Sequence, residues 1–151
     1  MAIPDGSGGR DSGDADGDGE DADGGSRPDP PADVTVGPAR EGERATALSI
    51  VDMAGLEVDR EAVMDGEREV LVAVTDGRVL GALVLDGAYI EAVAVRPGRR
   101  GRGIGSALVV AAAARRDRLV AEFDTKLRGF YRNLGFDTER IGESRYRGEL
   151  P

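Results

Sequence analysis

Hydrophobic positions follow two rhythms along this chain. Between 69 and 95 the run "EVLVAVTDGRVLGALVLDGAYIEAVAV" is almost wholly apolar and is broken by Asp76-Gly77 and Asp86-Gly87. Asp-Gly between apolar runs is a strong hairpin signal, because both residues tolerate the positive φ of a tight turn. The pattern predicts an antiparallel meander of three strands. Ahead of it, "VTVGPAR" reads as an opening strand. "EGERATALSIVDMAG" sets Ala45, Leu48, Val51 and Met53 near one face of an amphipathic helix ending at Gly55. "VDREAVMDG" suits a second short helix, capped by Asp59 and stopped by Gly66.

Beyond the meander the rhythm becomes helical in "GIGSALVVAAAARR", whose small and branched residues suit close burial against a sheet. "RLVAEFD" is a fifth strand, "KLRGFYRNLG" a short helix closed by Gly135, and "FDTERI" and "SRYRGEL" are strands six and seven. The predicted order is β-α-α-β-β-β-α-β-α-β-β. This is an α/β domain over residues 33–151, with a mixed, mostly antiparallel sheet of about seven strands.

Residues 1–32 break this picture. "DGSGGRDSGDADGDGEDADGGSRPDPPAD" offers almost no apolar surface to offset the entropy of ordering, so a disordered acidic tail is expected. Asp14-x-Asp16-x-Asp18-Gly19 matches half of a calcium-binding loop, but Gly25 stands where the bidentate glutamate belongs. No metal site is expected.

Charge and composition narrow the chemistry. The chain of 151 residues has a formal charge of −9. Residues 1–33 hold ten acids and two arginines, a net of −8, and the remainder is nearly balanced. Lys126 is the only lysine. Abundant carboxylates, arginine in place of lysine and few aromatics suit a halophilic source, where salt screens carboxylate repulsion. Cysteine and histidine are both absent, which excludes disulfides, thiolate metal sites, a cysteine nucleophile and any Ser-His-Asp triad. The longest apolar run, "ALVVAAAA", is far too short to span a bilayer, and no signal segment opens the chain. A cytoplasmic protein, monomer or homodimer, without membrane contact is the expectation.

The candidate chemistry lies in "RPGRRGRGIGSALVV". Gly101, Gly103 and Gly105 alternate across a strand-to-helix junction, with Arg99, Arg100 and Arg102 around them. A helix N-terminus presents unpaired N–H groups and partial positive charge, and glycine lets the backbone approach a ligand closely. A phosphate-bearing ligand is favoured. No lysine follows the glycines as a P-loop requires, and the spacing does not give G-x-G-x-x-G after a parallel strand. A nucleic-acid role is disfavoured, because the folded part is not basic and carries no aromatic stacking platform.

Three stretches carry a family resemblance. Arg100-Gly101-Arg102-Gly103-Ile104-Gly105 fits R/Q-x-x-G-x-G/A, Val93-Ala94-Val95-Arg96-Pro97 fits the strand end before it, and Tyr131-Arg132-Asn133-Leu134-Gly135-Phe136 fits Y-x-x-x-G-F. In this the chain resembles the GNAT N-acetyltransferase family from Val34 to the C-terminus. The resemblance implies a single GNAT-like domain whose strands four and five splay apart, aided by a bulge in strand four, to take acetyl-CoA. It implies backbone N–H groups from Arg100 to Ser106 on the pyrophosphate, with Arg100, Gly101, Arg102, Gly103, Ile104, Gly105 and Ser106 as the binding set. The pantetheine arm would lie along Val93, Ala94 and Val95, and a backbone N–H near Val95 would meet the thioester carbonyl.

The reaction implied is transfer of an acetyl group to a small-molecule or peptide amine by direct attack. Tyr131 matches the family's proton donor to the leaving thiolate, a role suited to a phenol with a pKa near ~10. Glu91, a carboxylate in an apolar strand, is the candidate base, with a water relay as the alternative. Asp124 stands where the family usually has an asparagine touching the pantetheine; aspartate accepts a hydrogen bond but donates none. A GNAT-fold protein that binds an acyl-CoA without turnover is the competing reading.

Overall fold

The structure, a computed structural model, describes residues 33–151. The acidic tail and its half-match to a calcium loop lie outside the described residues. The elements run β1 (Thr35–Pro38), α1 (Glu43–Met53), α2 (Arg60–Asp65), β2 (Glu69–Thr75), β3 (Arg78–Asp86), β4 (Tyr89–Val95), α3 (Ile104–Ala113), β5 (Leu119–Asp124), α4 (Arg128–Asn133), β6 (Asp137–Arg140) and β7 (Arg145–Leu150). This is the order read from the sequence.

The strands form one sheet in the order β1-β2-β3-β4-β5-β7-β6. Every neighbouring pair is antiparallel except β4 and β5, which are parallel. At the β2–β3 hairpin Asp76 and Gly77 both take positive φ, 50° and 77°, the backbone that suits a two-residue turn between right-twisted strands.

Two apolar layers explain why the meander reads as continuous hydrophobic sequence. On one face Leu71, Leu80, Leu83, Val93 and Val95 pack with Ile104 and Leu108 of α3 and with Phe123, Tyr131 and Phe136. On the other, Val70, Val72, Ala82, Val84, Ala92 and Ala94 pack with Leu48, Ile50 and Val51 of α1. Gly81 permits α3 to lie close: a Cβ there would stand 3.0 Å from the Ala94 carbonyl oxygen and 3.2 Å from Ile104 Cγ2. Among the described residues, a helix covers the sheet beyond β4 on one face only, where α4 sits. On the opposite face Glu122, Arg145 and Glu149 remain substantially exposed.

Two element ends differ from the sequence reading. The third helix stops at Ala113 rather than continuing through Arg116. Arg115 and Arg116 instead turn back to grip the carboxylate of Glu69 at the start of β2. The helix expected from Lys126 is preceded by a 3-10 turn, Thr125–Leu127, because Asp124 caps it by accepting the Lys126 N–H at 3.0 Å.

Candidate functional site

β4 and β5 make one register pair, Tyr89 with Val120, and then part. The cause lies partly in β4 itself. Val84 of β3 faces Ala92 and Leu85 faces Ile90, so Glu91 is an extra residue, a bulge that turns the strand. Further along, the Arg96 N–H donates to the Leu80 carbonyl at 2.8 Å, so Arg96 faces β3. By the alternation of a strand, the backbone groups of Val93 and Val95 face the opening toward β5. The side chains of Val93, Ala94 and Val95 are fully buried, which fixes that edge rigidly.

The arginine-glycine turn closes one end of the opening. Arg96 Nε donates to the Val79 carbonyl at 2.7 Å, and Pro97–Arg99 forms a single 3-10 turn. Arg100 folds back so that its Nε donates to the Val95 carbonyl at 3.0 Å, on the edge of the opening. Gly101 and Gly103 each have φ of 81°, where a side chain would be strained. Gly103 is the N-cap of α3 and brings no side chain to cover the helix start. Ile104 is anchored in the core and Gly105 and Ser106 are buried, whereas Arg102 is exposed. The turn therefore combines a buried helix start with cationic side chains around it.

Tyr131 belongs to α4, is fully buried and packs in the apolar layer that includes Val93 and Val95. Its ring stacks on Phe123 at 4.2 Å and meets Phe130 and Phe136 edge-on. Among the described residues its hydroxyl is the one buried side-chain polar atom with no hydrogen-bond partner. Burial pushes the phenol far above its ordinary pKa, and nearby Tyr89 pushes it the same way. Such an orphan costs stability unless something else meets it.

Glu91 is partly buried and carries an ion pair: Arg68 Nε donates to its Oε1 at 3.1 Å. Arg68 also approaches Asp86 at 3.6 Å and Asp59 at 4.0 Å. Across the opening Glu122 pairs with Arg145 of β7 at 3.6 Å. Tyr89, which makes the one β4–β5 register pair, is half-buried; burial raises its phenol pKa, Glu122 and Glu91 add to the effect, and Arg145 opposes it. Tyr89, Arg68, Glu122 and Arg145 were not singled out in the sequence, because nothing in their local spacing marks them; strand register assembles them. Asp124 spends one carboxylate oxygen capping the turn that leads to α4. Among the described residues no helix is long and apolar enough to cross a membrane.

A mixed sheet whose parallel central strands part before a helix N-terminus is the architecture of the GNAT fold. Solved structures that share it include a protein of the GNAT family from Desulfovibrio desulfuricans, at 19% identity and a TM-score of 0.64 over 78% of this chain and 98% of that one. A GNAT family acetyltransferase from Elizabethkingia anophelis with acetyl-CoA bound aligns at 16% identity and 0.63, over 80% of this chain and 99% of that one. The ribosomal-protein-S18-alanine N-acetyltransferase of Escherichia coli aligns at 15% and 0.64, over 78% and 93%. Among curated proteins none matches the chain. Residues 66–138 match the family model described as an acetyltransferase (GNAT) domain. The chain thus shares the GNAT fold with these structures, and its residues 66–138 are similar to the GNAT acetyltransferase domain.

Proposed function

We propose that this protein is an N-acetyltransferase that takes its acetyl group from acetyl-CoA and passes it directly to an amine. The observation that carries the reading is the opening between β4 and β5, which has the glycine turn of α3 at one end, with Tyr131 and its unpartnered hydroxyl in the apolar layer that includes Val93 and Val95. The Elizabethkingia neighbour, whose structure holds acetyl-CoA, supports the choice of donor.

The residues suit that donor. The backbone from Arg100 to Ser106 offers N–H groups at the positive end of a helix to a pyrophosphate, with the cationic Arg102 beside them. The edge of Val93 and Val95 offers backbone hydrogen bonds to an amide-bearing arm, as a neighbouring strand would. A backbone N–H near Val95 polarises the thioester carbonyl.

In the transfer the amine nitrogen bonds to the carbonyl carbon and the carbon–sulfur bond breaks. Glu91, directly or through water, accepts the proton the amine sheds. Tyr131 donates its phenolic proton to the departing thiolate and recovers one afterwards. Burial keeps Tyr131 protonated at any working pH, so the proton is always in place. With no cysteine in the sequence, direct attack replaces an acyl-cysteine route, and much of the gain comes from holding the two substrates in line.

The test is a thermal-shift titration with acetyl-CoA, with acetate and ATP as controls, followed by thiol release in the presence of amines. Ligand at ~100-fold over Kd adds about 2.7 kcal/mol of stability. A shift specific to acetyl-CoA supports the reading; its absence in a folded sample sinks it.

A further inference from the structure

Charge of opposite sign is gathered at two places along this chain. Residues 1–32 hold nine carboxylates against two arginines, and six of the nine lie between Asp14 and Asp23. The described chain takes over at Asp33, whose Oδ2 accepts a hydrogen bond from Thr75 Oγ1 at 3.2 Å. Thr75 pairs with Arg78 across the β2–β3 turn, and the carbonyl of Val79, next to Arg78, accepts from Arg96 Nε. Asp33 therefore stands at the same end of the sheet as the arginine-glycine turn. From β1 to β4 is three strand spacings, about 14 Å, whereas the ten residues from Asp23 to Asp33 extend up to about 33 Å.

The strand ends and turns that meet at this end carry Arg78, Arg96, Arg99, Arg100 and Arg102 against Asp33 and Asp76. Arg78 and Arg99 make no ion pair with any described residue. Arg96 and Arg100 donate Nε to the carbonyls of Val79 and Val95, which orders their guanidiniums without neutralising them. Arg78 and Arg102 are exposed. By contrast Arg68, Arg115, Arg116, Arg118 and Arg145 each have a carboxylate partner. Across the opening, Asp124 at the end of β5 lies opposite Arg145 and caps the turn of Lys126, so that side brings the arginines no excess of carboxylate.

We infer that the acidic run from Asp14 to Asp23 docks on this arginine end of the sheet, which is thereby held for the chain's own N-terminal segment rather than for an outside polyanion. The tether through Asp33 keeps the run at high effective concentration beside the arginines, and opposite charge draws it in. A pyrophosphate reaches the glycine turn by displacing it. That consequence rests on the reading of the turn as the acetyl-donor site; the contact itself does not.

The chain has no cysteine, so Ser12→Cys gives one site for a nitroxide label on the full-length protein. In about 20 mM potassium chloride we expect the label to broaden the amide signals of Arg78 and of Arg99 to Gly103 at least about threefold more than those of β6. The excess should vanish at about 1 M, where the screening length is about 3 Å. Asp14→Asn, Asp16→Asn, Asp18→Asn, Glu20→Gln, Asp21→Asn and Asp23→Asn together should remove it at low salt as well. The same six changes should tighten the low-salt Kd for acetyl-CoA by roughly fivefold and leave it nearly unchanged at about 1 M. Broadening that is absent, spread evenly over the surface, unchanged by neutralisation, or equally strong with label and isotope on different molecules would overturn the inference. Where acetyl-CoA binds neither protein, the donor reading fails while the broadening still decides the contact. Broadening with an equal acetyl-CoA Kd in the two proteins keeps the contact and refutes the displacement.

Discussion

Arg68 and Glu91 meet at 3.1 Å, tying the entry of β2 to the bulge residue of β4. The contact gives the carboxylate two conceivable duties: base for the incoming amine, or partner that keeps the bulge in place. Glu91→Gln separates them, since the amide retains a hydrogen-bond acceptor and loses the charge. If Glu91 is the base, turnover at saturating substrates falls by roughly 10²–10⁴-fold with the melting temperature little changed. Unchanged turnover assigns it to the bulge and leaves proton removal to water.

Tyr131→Phe should move stability and activity in opposite directions. The ring keeps its stacking on Phe123, while the unpartnered hydroxyl disappears from the core. We expect the variant to be more stable by about 1 kcal/mol. Turnover should fall by at least ~10²-fold with acetyl-CoA affinity retained. Denaturant melts beside initial rates check both.

The same residue sets an alkaline limit. Its pKa is raised in the folded protein, so the folded state holds a proton that the unfolded chain releases near pH ~10. The associated stability is complete below that point and is lost as pH climbs above it. Melts between pH 8 and 11.5 should show wild type weakening more steeply above ~10 than Tyr131→Phe. Parallel curves would count against a neutral buried phenol.

Gly81→Ala tests how the sheet aims α3. The added methyl would crowd the Ala94 carbonyl, Ile104 and Leu108, pushing the helix outward. A loss of about 1–3 kcal/mol is expected from overpacking. Because Ile104 starts α3, acetyl-CoA affinity should drop as well. Lost stability with unchanged affinity would mean that the turn is positioned independently of Gly81.

Salt provides the last check. The net charge of −9 repels itself in dilute buffer, and screening relieves it. Melting temperature should rise between 0.05 M and 2 M potassium chloride, as expected of a halophilic protein. A flat or falling response removes that reading.

Sequence alone determined the elements and the glycine turn, because these are local matters. Asp-Gly pairs set the hairpins, Asp59 and Gly66 bound α2, and Gly101 and Gly103 take the positive φ that the turn demands. Continuous apolar runs in β3 and β4 mark strands, and the structure buries them on both faces. The tertiary structure decided what no window of sequence contains. The bulge falls on Glu91 because of how β4 registers against β3, and β4 parts from β5 after a single pair. Arg68 reaches Glu91 from twenty-three positions away, and Glu122 finds Arg145 through the β5–β7 ladder. Ion pairs and orphaned hydroxyls arise from distance in space, so the surroundings of the opening became visible only once the strands were laid side by side.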